Sequence, residues 1–345
     1  MTTVRCPSRL ENMQRRALGT TGPRVFPLGL GLMGMSDFYG PAETAESHAT
    51  LDAAIEAGMD LLDTGDFYGS GHNELLLREA LRRHDRDRLC LSVKFGAMRD
   101  PRGGFVGFDA SPAGVKNSLA QTLQRLGTDH VDVYRPARLD PRVPVEDTVG
   151  AIAEMVEAGH VRHIGLSEMG ADTIRRAAAV HPIVDLQIEY SLLSRTIEAE
   201  ILPTCRELGI GITAYGVLSR GLLSGHWDRN RRDDPRSHFP RFQGENLEHN
   251  LGLVDRLREV ATDRGVTVAQ LAIAWALAKG SDIVPLVGAR RRERLTEALG
   301  ALDLELDEAD LAALERAVPA ESVAGQRYDP EGMALLDSER GTGHG

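Results

Sequence analysis

The chain has 345 residues, 26% of them charged, with a formal net charge of −11 and a pI near 5.5. That acidic balance argues against a nucleic-acid or anionic-membrane partner, and no apolar run approaches the ~18 residues a membrane span needs. Three distant cysteines, Cys6, Cys90 and Cys205, provide neither a disulfide framework nor a cysteine metal site. The start carries no apolar stretch of the signal-peptide kind, so the expectation is a cytoplasmic protein acting on a small molecule.

In chain order, residues 1–12 read as a polar extension, with Met13 as an alternative start. The stretch ALGTTGPRVFPLGLG then predicts a short hairpin turning at Thr21-Gly22, placed to plug the floor of whatever follows. After it one phrase repeats: amphipathic helix, glycine stop, short apolar strand. Helices over 44–57, 145–158 and 196–208 end at Gly58, Gly159 and Gly209, where glycine supplies the left-handed conformation that closes a helix. Core strands are expected near 28–32, 59–63, 89–94, 131–135, 161–167, 184–188, 209–214 and 283–287. Eight strands alternating with helices fit a single-domain α/β fold, the (β/α)8 TIM barrel, over about 15–335 of a 1–345 unit. Runs such as LCLSV and IVPLV suit strands buried on both faces. Residues 224–250 are too long for a simple connector and should overhang the C-terminal ends of the strands, where barrels carry their chemistry. Residues 336–345 read as a loose tail.

The second strand ends in Asp63-Thr64-Gly65-Asp66-Phe67-Tyr68-Gly69 and the third in Ser92-Val93-Lys94-Phe95. A carboxylate, a phenol and an ammonium therefore emerge at neighbouring strand ends. Tyrosine is a poor acid at neutral pH. An adjacent ammonium favours its phenolate, and a carboxylate holds the ammonium in place. Such a trio suits proton delivery to an oxygen that receives a hydride. Of the 40 Lys and Arg residues only Lys94, Lys116 and Lys279 are lysine. In a chain that otherwise uses arginine, each marks a place where a compact, tunable ammonium could matter. Lys116 and Lys279 read as surface charges on helices. Arg290-Arg291-Arg292-Glu293-Arg294 follows the eighth strand and opens a helix, an arrangement that suits a phosphate. His160 and His163 lack a carboxylate at ligand spacing, and no metal is expected. His72 starts a helix, Trp275 reads as core, and Phe38, Tyr39, Phe67, Phe95, Arg138, Trp227 and Phe239 are candidates for a substrate rim.

The phrases LGLGLMGM (28–35), DTGDFYG (63–69), VKFG (93–96), IGLSE (164–168), LQIEYS (186–191), TAYGVLSRGLLSG (213–225) and VGARRRERLTEALGAL (287–302) together resemble the aldo-keto reductase superfamily in residue type and order. The resemblance implies a barrel that binds NADPH/NADP+ without a Rossmann fold. It implies Tyr68 as general acid, Lys94 as the neighbour that lowers its pKa, and Asp63 as the partner of Lys94. It further implies that Ser167 and Gln187 hold the nicotinamide amide and that Tyr215 stacks on the ring. Leu32 and Met33 would lie near the nicotinamide, with Gly216, Leu218, Arg220 and Gly221 covering the pyrophosphate. Gly288, Arg290 and Arg294 would serve the adenosine end, the two arginines on the 2′-phosphate, with Glu297 facing the adenine.

Two positions depart from the family pattern. The family's catalytic histidine after the fourth strand is Ala137, in a phrase, ARLDP, closest to the pyridoxal-reductase-like branch. The asparagine that often follows the nicotinamide serine is Glu168. The expected function is NADPH-dependent reduction of a carbonyl-type molecule. The alternatives are an NADP(H)-binding sensor or regulatory subunit with little turnover, or a reductase of a conjugated C=C bond or a pyridoxal-like substrate.

Overall fold

The computed structural model describes residues 13–36, 38–227 and 235–340. Eight parallel strands close into a barrel: β1 (Gly29–Gly31), β2 (Leu61–Gly65), β3 (Cys90–Phe95), β4 (Val131–Pro136), β5 (Val161–Ser167), β6 (Ile183–Glu189), β7 (Gly211–Tyr215) and β8 (Ile283–Gly288). Helices α1 (Thr44–Glu56), α2 (His72–Leu81), α3 (Pro112–Leu126), α4 (Val145–Glu157), α5 (Ala171–Val180) and α6 (Ile201–Glu207) form the successive crossovers. Two helices, α7 (Gly244–Asp263) and α8 (Val268–Ala278), lie between β7 and β8. After β8 come α9 (Arg292–Leu299), α10 (Glu308–Ala317) and the short α11 (Pro330–Ala334). The expected (β/α)8 fold is thus observed, although β2 and β7 begin two residues later than their apolar runs suggested.

Local signals explain the helix limits. Ser111 caps α3 by accepting a hydrogen bond from the Gly114 N–H at 3.1 Å, with Pro112 in its first turn. Thr267 and Gln270 form a capping box at the start of α8. The segment Ala97–Arg99 pairs antiparallel with Phe105–Phe108 as a small hairpin beyond β3, which the sequence reading did not place.

Alternation along the strands builds the barrel interior in layers. At the floor, Leu61, Cys90, Val133, Val184, Val284 and Leu286 form one buried apolar cluster. The expected N-terminal hairpin closes it: Arg16–Ala17 pairs with Arg24–Val25, and Leu18 and Val25 join the cluster. The hairpin presses tightly on the floor. At Gly19 (φ +63) a Cβ would lie 2.5 Å from the Val184 carbonyl oxygen and 2.6 Å from that of Gly209. Further along the barrel strands the interior turns polar, with Asp63, Ser92, Arg135, Asp185 and Thr213 all buried.

One expectation about the extended segments changes. Residues 228–234 of the long loop and 1–12 of the N-terminal extension lie outside the described residues. In the rest of the loop Phe239, Arg241 and Phe242 are buried, and α7 begins at Gly244. Residues 336–340, expected within a loose tail, dock on the barrel instead. Leu336 is buried, Asp337 accepts a hydrogen bond from the Gly170 N–H at 2.9 Å, and the Ser338 hydroxyl donates to Glu168 at 2.7 Å.

Candidate active site

The polar layer carries the first part of the site. Lys94 Nζ donates to Asp63 Oδ2, and both side chains are buried. Asp63 Oδ1 accepts from Ser92 Oγ at 2.9 Å and from Gln187 Nε2 at 2.7 Å. The network runs on through Arg135, which donates to Ser92 Oγ at 3.0 Å and to Asp185 Oδ2 at 2.9 Å; Thr213 Oγ1 donates to the same Asp185 oxygen. Gly165 makes room for this ion pair, since a Cβ there would come within 2.6 Å of Asp185 Oδ1. Breaking such a buried pair by removing one partner costs about 3–5 kcal/mol. Arg135 and Asp185 escaped the sequence reading, yet charged residues inside apolar strand runs were the signal that could have found them.

Above this layer stands Tyr68. It follows β2 in a tight turn and is only 6% exposed, and the Lys94 ammonium lies 5.2 Å from its ring centroid. Phe67 packs edge-on against it at 4.8 Å. Burial and the charge of Asp63 push the Tyr68 phenol well above its ordinary pKa, and the chief charge opposing them is the Arg138 guanidinium. Burial likewise pulls the Lys94 ammonium down, against the holding effect of Asp63. Two cations therefore stand near the phenol, Lys94 below it and Arg138 beside it.

Ala137 follows β4, is buried, and hydrogen-bonds through its N–H to the Phe95 carbonyl at 2.8 Å. Arg138, next in sequence, donates to the Ala137 carbonyl at 2.6 Å, to Ser167 Oγ at 3.4 Å and to the Tyr328 hydroxyl at 3.3 Å. Glu168, where the family pattern often has asparagine, is fully buried. It sits at φ +51 and accepts from the Glu189 N–H (3.0 Å), the Tyr215 hydroxyl (2.6 Å), Arg327 Nη1 (3.0 Å), Arg327 Nη2 (2.9 Å) and Ser338 Oγ. Burial raises the Glu168 carboxyl, but Arg327 outweighs it and holds the group far below the ordinary carboxylate range. Arg327 also pairs with Glu189 at 3.3 Å and Glu339 at 2.6 Å. The departure at 168 therefore has a structural use: it ties the C-terminal segment to the site. Nothing local in the sequence marked Arg327 or Tyr328.

The remaining predicted residues sit along the same end of the barrel. Leu32 is buried and its carbonyl accepts from Asn73 at 2.9 Å, while Met33 opens the turn after β1. Ser167 and Gln187 are buried. After Tyr215 come Gly216 (φ +66), Leu218, Arg220 (φ +53) and Gly221 (φ +98), a loop of unusual backbone conformations. Arg220 lies over the rings of Phe239 (4.1 Å), Tyr328 (4.5 Å) and Phe38 (5.4 Å), and its Nη2 is buried without a hydrogen-bond partner. Beyond Gly288, Arg294 donates to Glu297 at 3.0 Å and contacts His226 at 2.5 Å. Arg290 is turned onto the carbonyls of Tyr39 (3.1 Å), Gly40 (3.3 Å) and Pro41 (3.3 Å).

Of the rim candidates, Phe95 is misplaced: it faces outward and stacks on Tyr134 at 4.3 Å. Trp227 packs on Phe242 at 5.1 Å, and His72 bonds Ser36 Oγ at 2.9 Å. Lys116 pairs with Glu154 at 2.6 Å and Lys279 with Glu315 at 3.0 Å. Among the described residues no group of three His, Cys, Asp or Glu side chains forms a metal site, and no helix is long and apolar enough to cross a membrane. A hollow of about 620 Å³ lined by Arg15, Arg24, Asp60 and Arg88 lies at the strand N-termini, the end of a barrel that serves stability rather than chemistry.

Comparison with known proteins agrees with this geometry. A family model, the Aldo/keto reductase family, matches residues 27–319. The chain is 41% identical over 316 residues to "Probable aldo-keto reductase 1" of Glycine max, covering 90% of each. Among solved structures, a glycerol dehydrogenase from Gluconobacter oxydans superposes with a TM-score of 0.81 at 26% identity, covering 92% of this chain and 97% of that one. A thermostable aldo-keto reductase solved with the inhibitor epalrestat gives 0.72 at 30% identity, covering 88% and 100%. The chain belongs to the aldo/keto reductase family, nicotinamide-dependent oxidoreductases that act on small molecules.

Proposed function

We propose that this protein reduces a carbonyl-type small molecule with NADPH, using Tyr68 as the proton donor. The observation that carries the reading is the buried phenol of Tyr68 beside a Lys94 ammonium that is itself locked to Asp63.

The residues present suit the cofactor. The buried, unpartnered Arg220 Nη2 and the open backbone at Gly216 and Gly221 fit a pyrophosphate. Ser167 and Gln187 offer amide partners, and Tyr215 is anchored through its hydroxyl to Glu168, leaving its ring as a platform. Arg294, at the start of α9 and backed by Glu297 and His226, suits a 2′-phosphate and favours NADPH over NADH. Arg290 would have to exchange its carbonyl partners for that phosphate.

When bound, the reduced nicotinamide supplies a hydride to the carbonyl carbon. Tyr68 gives its proton to the carbonyl oxygen, so the product is the alcohol. Lys94 then stabilises the phenolate left behind, and Asp63 with Ser92 and Gln187 keeps Lys94 in position. With alanine at 137, the histidine donor that the family uses toward the carbonyl is missing, and another group must orient the oxygen.

The test is Tyr68→Phe assayed by NADPH oxidation over a panel of aldehydes and ketones, with NADPH affinity followed by fluorescence. Turnover should fall about 10²–10⁴-fold with NADPH affinity nearly unchanged. Tight NADPH binding with no wild-type turnover on any substrate would overturn the reading and favour a cofactor-binding sensor.

A further inference from the structure

We infer that Arg138, steadied by Tyr328, is the substrate-binding cation of this site, and that it selects carbonyl compounds with an anionic oxygen on the neighbouring carbon, the 2-oxo acid class. The inference rests on the reductase reading above and adds to it the chemistry of the substrate.

The first observation is what Arg138 lacks. Around the mouth, Arg135 pairs with Asp185, Arg241 with Glu189, and Arg327 with Glu168, Glu189 and Glu339. Among the described residues no carboxylate lies within ion-pairing distance of Arg138. Its three hydrogen bonds go to neutral acceptors: a backbone carbonyl, the Ser167 hydroxyl and the Tyr328 hydroxyl. Glu168, the carboxylate whose charge reaches it after those of Tyr215 and Tyr328, is saturated by five other donors. Arg138 is partly buried, and a cation so placed without a counter-ion is unfavourable. A guanidinium has five N–H donors, so two remain for an incoming group, and a carboxylate is the partner its geometry fits best.

The second observation is where Arg138 stands. It touches Ser167, the expected neighbour of the nicotinamide amide, and its charge acts on the phenol of Tyr68. The reacting carbonyl must lie between those two residues. The alanine at 137 leaves space there, since a methyl replaces an imidazole beside the guanidinium. Tyr328 fixes the arginine from the other side and is itself held at a second point: its hydroxyl lies 3.4 Å from that of Tyr215, and Arg220 covers its ring at 4.5 Å. Burial raises the Tyr328 phenol, yet Arg220 and Arg138 more than offset this and hold it below its ordinary value, as suits a hydroxyl whose role is to accept a hydrogen bond from a cation. A neutral aldehyde would leave the charge of Arg138 unmet, whereas a carboxylate next to the carbonyl meets it and turns the carbonyl oxygen toward Tyr68.

Steady-state kinetics with phenylglyoxylate, its methyl ester and benzaldehyde test this. The wild type should prefer the acid to the ester by at least about 10-fold in kcat/KM. Arg138→Met should lower kcat/KM for the acid by about 100-fold, mainly through KM, and for the ester by no more than about 10-fold, so that the acid-to-ester preference is lost. Arg138→Lys should restore part of the loss. Tyr328→Phe, a milder change that also serves if the methionine variant does not fold, should reduce the acid-to-ester ratio by a few-fold with NADPH affinity intact. A wild type that reduces the ester as well as the acid, or equal losses on both substrates in Arg138→Met, would overturn the inference and leave the reductase reading standing. Undiminished turnover in Tyr68→Phe would instead remove the reductase reading, whatever the acid-to-ester ratio.

Discussion

The two ends of the barrel are built from the same strands and held by different physics. At the floor, Leu61, Cys90, Val133 and Val184 meet the hairpin residues Leu18 and Val25, and the closure is apolar. At the mouth, two to five residues further along, Asp63, Lys94, Arg135, Gln187 and Glu189 are held by hydrogen bonds and ion pairs. Backbone conformation divides the same way. Among the described residues, the five non-glycine residues at positive φ, Phe38, Ser70, Glu168, Ser219 and Arg220, all lie in segments that follow strand C-termini, where such conformations are a known companion of function. The floor supplies stability that the mouth draws on, and only a few residues of each strand separate the two.

That contrast can be attacked from both sides. The largest stability effect is expected at the mouth. Arg327→Met leaves Glu168, Glu189 and Glu339 without their shared cation and should cost about 3–5 kcal/mol in urea unfolding. It should also weaken NADPH binding, because Tyr215 shares Glu168 with Arg327. Unchanged cofactor affinity would separate the ion cluster from the site. At the floor, Leu18→Ala should cost about 2–4 kcal/mol through an unfilled cavity while kcat stays at its wild-type value. A fall in kcat would mean that the floor reaches the chemistry after all.

The smallest effect has the opposite sign. Burial, reinforced by the charge of Glu74, pushes the Asp66 carboxyl up to about 7. Unfolded, the group ionises near its ordinary value, so the penalty for keeping it in the fold grows as pH rises from about 4 to 7 and is level above that. Asp66→Asn should therefore stabilise the protein by about 2 kcal/mol or less at pH 8, with the gain fading toward pH 4. A gain that does not vary with pH would show that Asp66 is ordinarily ionised in the fold.

Much of the fold was legible because a parallel strand buried on both faces is a short apolar run, and a glycine after helices such as α1, α4 and α6 marks their ends. Asp63, Tyr68 and Lys94 were legible as unlike groups at adjacent strand ends. The error at Phe95 was avoidable: if Lys94 points inward, the next residue points outward. The cluster around Glu168 was not legible. Arg327 reaches Glu168 across 159 residues and Glu189 across 138, and no local pattern encodes a contact at that range. Arg290 shows a different limit. A run of arginines at a helix start suggests an anion site, but which member turns to the neighbouring loop depends on the carbonyls of residues 39–41.

The scarcity of lysine has a practical side. Lys94 is sealed beneath the mouth with 5% of its side chain exposed, and Lys279 is tucked against Trp275 and Glu315 with 22% exposed. Lys116, on the outer surface of α3, has 46% exposed. Among the described residues, then, an amine-reactive dye or resin meets a single open lysine side chain. The protein carries its own handle for oriented coupling, on an outer helix of the barrel and clear of Lys94.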